Sequence, residues 1–229
     1  MYCLGWREDT LPEEQFFPRL RFLGQQAEKD MFAATGGVNT HKGLIFSMGI
    51  LCAALGRKHA GTRQPVPEDE LFQQCAALGK EALKDFSAAE TGLSPDTAGL
   101  RLYREKRIGG VREEAAEGFP AAKGTGLKNL RAGLAAGMSL NDAAAAALLS
   151  LIGALEDTNM IHRGGLPEAE RCRKEARELY GTLTAENCVA ELRQLDEAYI
   201  RKNLSPGGAA DLLALSMLLM FLEDRAIIV

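Results

Sequence analysis

No CxxC pair, no apolar run of membrane-spanning length and no excess of basic charge occur in this chain of 229 residues, and each lack removes a class of function. The five cysteines, Cys3, Cys52, Cys75, Cys172 and Cys188, are odd in number and widely spaced. That excludes a paired disulfide framework and a zinc site, and points to a reducing cytosol. Cys52 and Cys75 lie in apolar helical patterns, where a thiol behaves as a small hydrophobe. The most apolar run, Leu212 to Leu222, falls short of the roughly 20 residues that cross a bilayer. The N-terminal "MYCLGWREDTLPEEQ" has no apolar core of signal-peptide length, so a soluble, cytoplasmic protein without membrane contact is expected. With 27 Lys+Arg against 31 Asp+Glu the net charge is −4, which speaks against a nucleic-acid partner. A local basic pocket for a phosphorylated small molecule stays open.

What is present is helical periodicity. No window of five or more residues alternates as an exposed strand would. Pro18 can open a helix to about Ala34, and a second, apolar nearly all round, runs from about Lys42 to Arg57. Pro67 and the acids after it open a third, to about Phe86. A short helix near Gly99–Lys106 interrupts a glycine-rich, charged passage. Further helices are expected at about Leu127–Ala136, Leu140–Glu156, Pro167–Tyr180, Ala185–Lys202 and Ala209–Asp224. Ser139 fits the N-cap of the second of these with Asp142 at N3, Gly181 the C′ position of the third and Thr184 the N-cap of the fourth. Alanine runs such as "DAAAAALL" let helices approach closely. With no repeat, low-complexity tract or linker, the expectation is one compact all-α domain over residues 1–229, of about eight helices and no sheet.

Four inter-helix segments carry more polar and glycine residues than a turn requires: "GGVNTHKG" (36–43), "GGVREEAAEGFP" (109–120), "EDTNMIHRGG" (156–165) and "NLSPGGAAD" (203–211). Loops at one end of an antiparallel helical array gather into a rim, where sites tend to form. Pooled, the segments offer His41, Lys42, Arg112 and Arg163 as cations or donors, and Asn39, Asn159 and Asn203 as amides. Their carboxylates are Glu113, Glu114, Asp157 and Asp211. This is a kit for a polyphosphate with a divalent metal. Lys42 stands in a first helical turn behind a glycine loop, where free N–H groups add to its ammonium. Ser205, Gly207 and Gly208 precede the last helix and form a second candidate nest for phosphate. Arg163 can fork onto phosphate oxygens. Asp157, with Glu114 or Asp211, can supply the one or two carboxylates that Mg²⁺ takes beside phosphate oxygens.

Each feature also has a purely structural reading. Asp157–Thr158–Asn159 can be a helix-ending turn, Glu113, Glu114 and Glu117 a solvated face, and Asp211 a cap. His59 fits a surface loop, and His162 a structural position. The combination is harder to assign to chance than any member of it.

The segments "DMFAATGGVNTHKGLIFSMGILCAA" (30–54), "TAGLRLY" (97–103), "GGVREEAAEGFP", "EDTNMIHRGG" and "NLSPGGAADLLAL" (203–215) stand in the order found in a known family. The chain resembles triphosphoribosyl-dephospho-CoA synthase, which makes the prosthetic-group precursor of citrate lyase, with a relative serving malonate decarboxylase. The resemblance implies a transferase that joins ATP to 3′-dephospho-CoA and releases adenine. The ribose 2′-hydroxyl of dephospho-CoA would attack C1 of the ATP ribose through an oxocarbenium-like state. The product would be destined for the acyl carrier subunit of the lyase or decarboxylase. On this resemblance Lys42, Arg112 and Arg163 hold phosphates, together with Thr40, Ser205, Gly207 and Gly208. Asn39 and Asn159 orient sugar hydroxyls or phosphate oxygens, and Mg²⁺ sits on Asp157 with Glu114 or Asp211. His41 or a carboxylate, Asp157 or Glu114, takes the hydroxyl proton.

Two departures from the family pattern carry expectations of their own. Family members usually begin with several tens of further residues, including Pro-Lys-Pro-Gly-Leu-Val-Asp and Gly-Ala-His-x-Asp-Met stretches. Nothing here matches either, so the chain is expected to be N-terminally short. Glu113 stands where the family generally has glycine, and its charge would partly neutralise Arg112. Two alternatives stay beside the transferase: a non-catalytic or incomplete nucleotide-binding remnant or subunit of that family, and another helical, Mg²⁺-dependent nucleotide phosphohydrolase. The oligomeric state is open, a homo-oligomer included.

Overall fold

Stripes of apolar residues at helical spacing fold as helices nearly everywhere. The computed structural model describes residues 1–62, 64–90 and 98–229; the residues from 91 to Thr97, where the 97–103 segment begins, lie outside the described residues. The long helices are α2 (Glu13–Ala34), α3 (Lys42–His59), α4 (Glu68–Glu90), α8 (Leu140–Ala154), α10 (Leu166–Tyr180), α11 (Cys188–Arg201) and α12 (Gly207–Asp224). Shorter ones are α1 (Tyr2–Arg7), α5 (Ala98–Lys106), α6 (Val111–Ala116), α7 (Lys128–Ala135) and α9 (Thr158–Gly164). A π-helical turn, Ala122–Leu127, runs directly into α7. The architecture is all-α; among the described residues the β pairing amounts to one isolated bridge between Val66 and Ile228. No single described helix is long and apolar enough to cross a membrane; α8 and α9 pass that test only as a pair bent by 71°.

The described residues form twelve α-helices against the eight or so expected. The additions α1, α6 and α9 have 6, 6 and 7 residues, too few turns to display a period in sequence. Helix α2 starts at Glu13, with Pro18 inside it and not at its start. The proline removes a helical N–H and costs about 3 kcal/mol. Extending the helix back buries Phe16 and Phe17, at roughly 1.5–3 kcal/mol each, and offsets that cost. Ser139 caps α8 as expected, its Oγ accepting from the Asp142 N–H at 3.2 Å. Thr184 instead holds a turn with Asn187 ahead of α11, which begins at Cys188. Gly181 ends α10 with an ordinary φ of −65°, outside the left-handed region.

The chain divides into two compact units. The first comprises Met1–Arg104, Val111–Phe119 and Phe221–Val229. Here α3 is the central helix, with α1, α2, α4 and α6 against it. Glycine sets two of the crossings: a Cβ at Gly56 would stand 2.1 Å from the Tyr2 carbonyl oxygen, and one at Gly79 2.3 Å from the Ala115 backbone. The second unit comprises Glu105–Gly110 and Pro120–Met220, with α7 and α10 packed on α8. Ala143 in the alanine run of α8 faces Gly133 of α7, where an added Cβ would lie 2.9 Å from its methyl.

Candidate functional site

Within the first unit, α2 and α3 each turn one stripe toward a cleft of about 260 Å³. Helix α2 contributes Arg21 and Glu28, α3 contributes Lys42 and Phe46, α4 contributes Asp85 and α6 contributes Arg112. Three cations and two carboxylates thus line one concave surface. Lys42 Nζ lies 2.9 Å from Glu28 Oε2. Arg21 Nη2 lies 2.8 Å from Asp85 Oδ1, and Arg112 Nε lies 3.5 Å from Asp85 Oδ2. That last contact is an ion pair without hydrogen-bond geometry, and among the described residues the buried Arg112 Nε has no hydrogen-bond partner. The Arg112 guanidinium sits between the Phe46 and Phe86 rings, at 6.0 and 5.9 Å from their centroids. Burial pulls the Arg112 pKa down, while Asp85 pulls it back up.

Asn39 closes the glycine loop at the mouth of α3, its Oδ1 accepting from the Lys42 N–H at 3.0 Å. The exposed His41 ring holds Nδ1 2.7 Å from Thr40 Oγ1. If that nitrogen carries the proton and donates to the hydroxyl, Nε2 is left as an acceptor. The loop therefore does two jobs. It caps a helix through Asn39 and presents Thr40, His41 and the Lys42 ammonium outward.

Within the second unit, Asp157 is 5% exposed and joins the starts of two helices. Its Oδ1 accepts from the N–H groups of Asn159 at 2.8 Å and Met160 at 3.2 Å, capping α9. Its Oδ2 accepts from Ala209 N–H at 2.9 Å, at the start of α12. Three of the roughly four lone-pair positions of the carboxylate are thus taken by backbone donors. Burial pushes the Asp157 carboxyl up, and the backbone donors oppose that shift. The glycine pair follows from this junction: a Cβ at Gly207 would stand 2.5 Å from Asn159 Nδ2, and one at Gly208 3.1 Å from Asp157 Oδ2. Nearby, Arg163 Nη1 donates to Asn203 Oδ1 at 3.0 Å, with Asn203 held at φ 55°.

A family model described as CitG, ATP:dephospho-CoA triphosphoribosyl transferase, matches residues 4–227, through both units. The chain belongs to this family. It is 40% identical over 221 residues to a probable 2-(5″-triphosphoribosyl)-3′-dephosphocoenzyme-A synthase of Albidiferax ferrireducens, covering 94% of this chain and 71% of that protein. The 2-(5″-triphosphoribosyl)-3′-dephosphocoenzyme-A synthase of Haemophilus ducreyi is 34% identical, over 96% of this chain and 71% of its own. That of Pectobacterium atrosepticum is 37% identical, over 94% and 69%. No solved structure matches the chain.

Among the residues expected from the family's segments, the structure brings Lys42 and Arg112 to one cleft. Glu113 and Glu114 stand in the first turn of α6, Glu113 exposed and Glu114 half-buried. The second pair of segments meets at Asp157. At the start of α12, where a phosphate nest was expected, the Ala209 N–H holds the chain's own Asp157 carboxylate. The helix-capping reading of Asp157–Thr158–Asn159 is observed, with Asp157 buried and its carboxylate engaged by backbone N–H groups. Asp211 lies in the first turns of α12, half-buried. The sequence reading missed Arg21, Glu28 and Asp85. The available signal was charge on an apolar stripe: Arg21 and Glu28 fall in register with the buried Phe17 and Leu20 on α2.

Proposed function

We propose that the chain joins ATP to 3′-dephospho-CoA, giving 2′-(5″-triphosphoribosyl)-3′-dephospho-CoA and free adenine. Membership of the transferase family supports the reaction, and the observation that carries the site is the cationic cleft of the first unit. Lys42 and Arg112 bind the ATP triphosphate there. With phosphate present, Lys42 turns from Glu28 to the anion, an exchange an exposed pair allows because it contributes only about 0–1 kcal/mol. The ribose 2′-hydroxyl of dephospho-CoA forms the bond to C1 as the N-glycosidic bond breaks and adenine leaves with that electron pair. His41 Nε2 accepts the hydroxyl proton, with Nδ1–H fixed on Thr40. Asn39 combines capping with a place beside the substrate sugar or phosphate. In the second unit, Arg163 and Asn159 are proposed contacts to the anionic substrates, and Asp157 holds the backbone that carries Asn159.

The donor set of the cleft fits Mg²⁺, because hard carboxylate oxygens line it beside the cations that meet phosphate. Glu28, once released by Lys42, would hold the ion. Mg²⁺ would supply charge neutralisation on the triphosphate. The product is proposed to pass to the acyl carrier subunit of citrate lyase or malonate decarboxylase, in the cytoplasm. The test is incubation of the purified chain with ATP, 3′-dephospho-CoA and Mg²⁺, with adenine followed by chromatography. Adenine release dependent on dephospho-CoA is expected; phosphate release without adenine sinks the reading.

A further inference from the structure

We propose that Arg21 is a further phosphate-binding residue of the cleft, and that Asp85 is the positioning residue that fixes Arg21 and Arg112 side by side. This rests on the reading of the cleft as the nucleotide site. Two guanidinium groups share the one Asp85 carboxylate, at 2.8 Å from Arg21 and 3.5 Å from Arg112. Each also lies against aromatic rings: Arg21 stands 5.1 Å from the centroid of Phe17, and Arg112 is flanked by Phe46 and Phe86. Ring and carboxylate together hold the guanidinium groups in place.

The charge balance is what separates this trio from a structural ion pair. A single arginine would neutralise Asp85, and the trio instead carries a surplus positive charge in a half-enclosed cleft. Two like charges on one carboxylate repel each other, while Glu28 across the cleft attracts Arg112. Among the described residues, the buried Arg112 Nε has no hydrogen-bond partner. An anion with several oxygens, such as the end of a triphosphate, meets both forks and removes the surplus. The Lys42–Glu28 pair on the same cleft is neutral by itself and gives up its cation on binding.

Calorimetric titration of the full chain with inorganic tripolyphosphate tests this. Arg21→Gln is expected to weaken binding about tenfold to a hundredfold, the range for a lost charge-assisted hydrogen bond. Arg21→Lys recovers only part, because an ammonium lacks the fork. The Arg21 side chain is 40% exposed, so these variants fold and melt like the wild type. Asp85→Asn gives the discriminating sign. Counting charge alone, loss of a carboxylate from the cleft tightens anion binding; loss of positioning weakens it, and weakening is expected, with Asp85→Glu retaining most of the affinity. Should Asp85→Asn fail to fold, Asp85→Glu and the two Arg21 variants decide. Affinity within twofold of wild type in Arg21→Gln overturns the role of Arg21, and equal or tighter binding in a folded Asp85→Asn overturns that of Asp85. Wild type that binds tripolyphosphate through Arg21 and yet releases no adenine leaves this inference standing and removes the proposed reaction. Adenine release with Arg21-independent binding does the reverse.

Discussion

Asp157 and Lys42 come from equally polar segments and do different work, and the difference is visible in what each side chain touches. The Asp157 carboxylate is spent on three backbone donors, two at the start of α9 and one at the start of α12. In Asp157→Asn one oxygen becomes an NH₂ group that points donors at donors. Loss of two caps and burial of unsatisfied N–H groups should destabilise the chain by about 2–4 kcal/mol, read from urea midpoints. An unchanged midpoint would contradict the junction. Lys42, by contrast, is 47% exposed and paired with a single surface-side carboxylate. Lys42→Met should leave the urea midpoint within about 0.5 kcal/mol of wild type. The same variant should lower kcat/KM for ATP about tenfold or more, since a phosphate contact is lost. A stability loss without a kinetic one would return Lys42 to a structural role.

At the scale of elements, the cleft exists because short helices are pressed onto long ones through glycine. Gly79 of α4 meets the Ala115 backbone of α6 so closely that a Cβ would stand 2.3 Å from it. Gly79→Ala must push α6 away, and backbone cannot yield as a side-chain tip can. The expected result is a loss of about 1–3 kcal/mol together with weaker tripolyphosphate binding, because Arg112 rides on α6. Binding unchanged in a destabilised variant would detach Arg112 from the cleft. A second element-level effect lies between α10 and the end of α11, where Glu168 meets Arg171 at 2.8 Å and Lys202 at 2.9 Å. These hydrogen bonds, Arg171 first, hold its pKa at about 2 against a usual 4.5. A depressed carboxylate stabilises the fold above its unfolded pKa and loses that effect as pH falls through the folded one. The urea midpoint should therefore fall between about pH 5 and about pH 2, and more shallowly in Glu168→Gln. Parallel acid limbs would exclude the pair as a contributor. The long helices were legible because their apolar period repeats over several turns. The helices α1, α6 and α9 were not, since six or seven residues hold too few repeats. Arg21, Glu28 and Asp85 escaped for a related reason: they lie on helix stripes, and attention to polar loops does not reach charged residues within an apolar period.

At the scale of the whole molecule, the chain has two compact units and a single tryptophan, Trp6, which belongs to the first. Trp6 fluorescence thus reports on the unit that contains the cleft, while far-UV circular dichroism reports helices in both. A ligand that binds only the folded state stabilises it by RT ln(1 + [L]/Kd), about 2.7 kcal/mol at a hundred times Kd. For a protein of this size about 1 kcal/mol corresponds to roughly 2–4 °C in Tm. Tripolyphosphate at that concentration should therefore raise the Trp6-monitored transition by roughly 5–11 °C, taking the two relations together. Arg112→Gln should abolish most of the shift, and Asp157→Asn, whose carboxylate belongs to the second unit, should keep it. The comparison locates the phosphate. A shift confined to the dichroism signal, with Trp6 unmoved, would assign the anion to the start of α12 and require Asp157 to give up its backbone partner there, which its hydrogen bonds oppose.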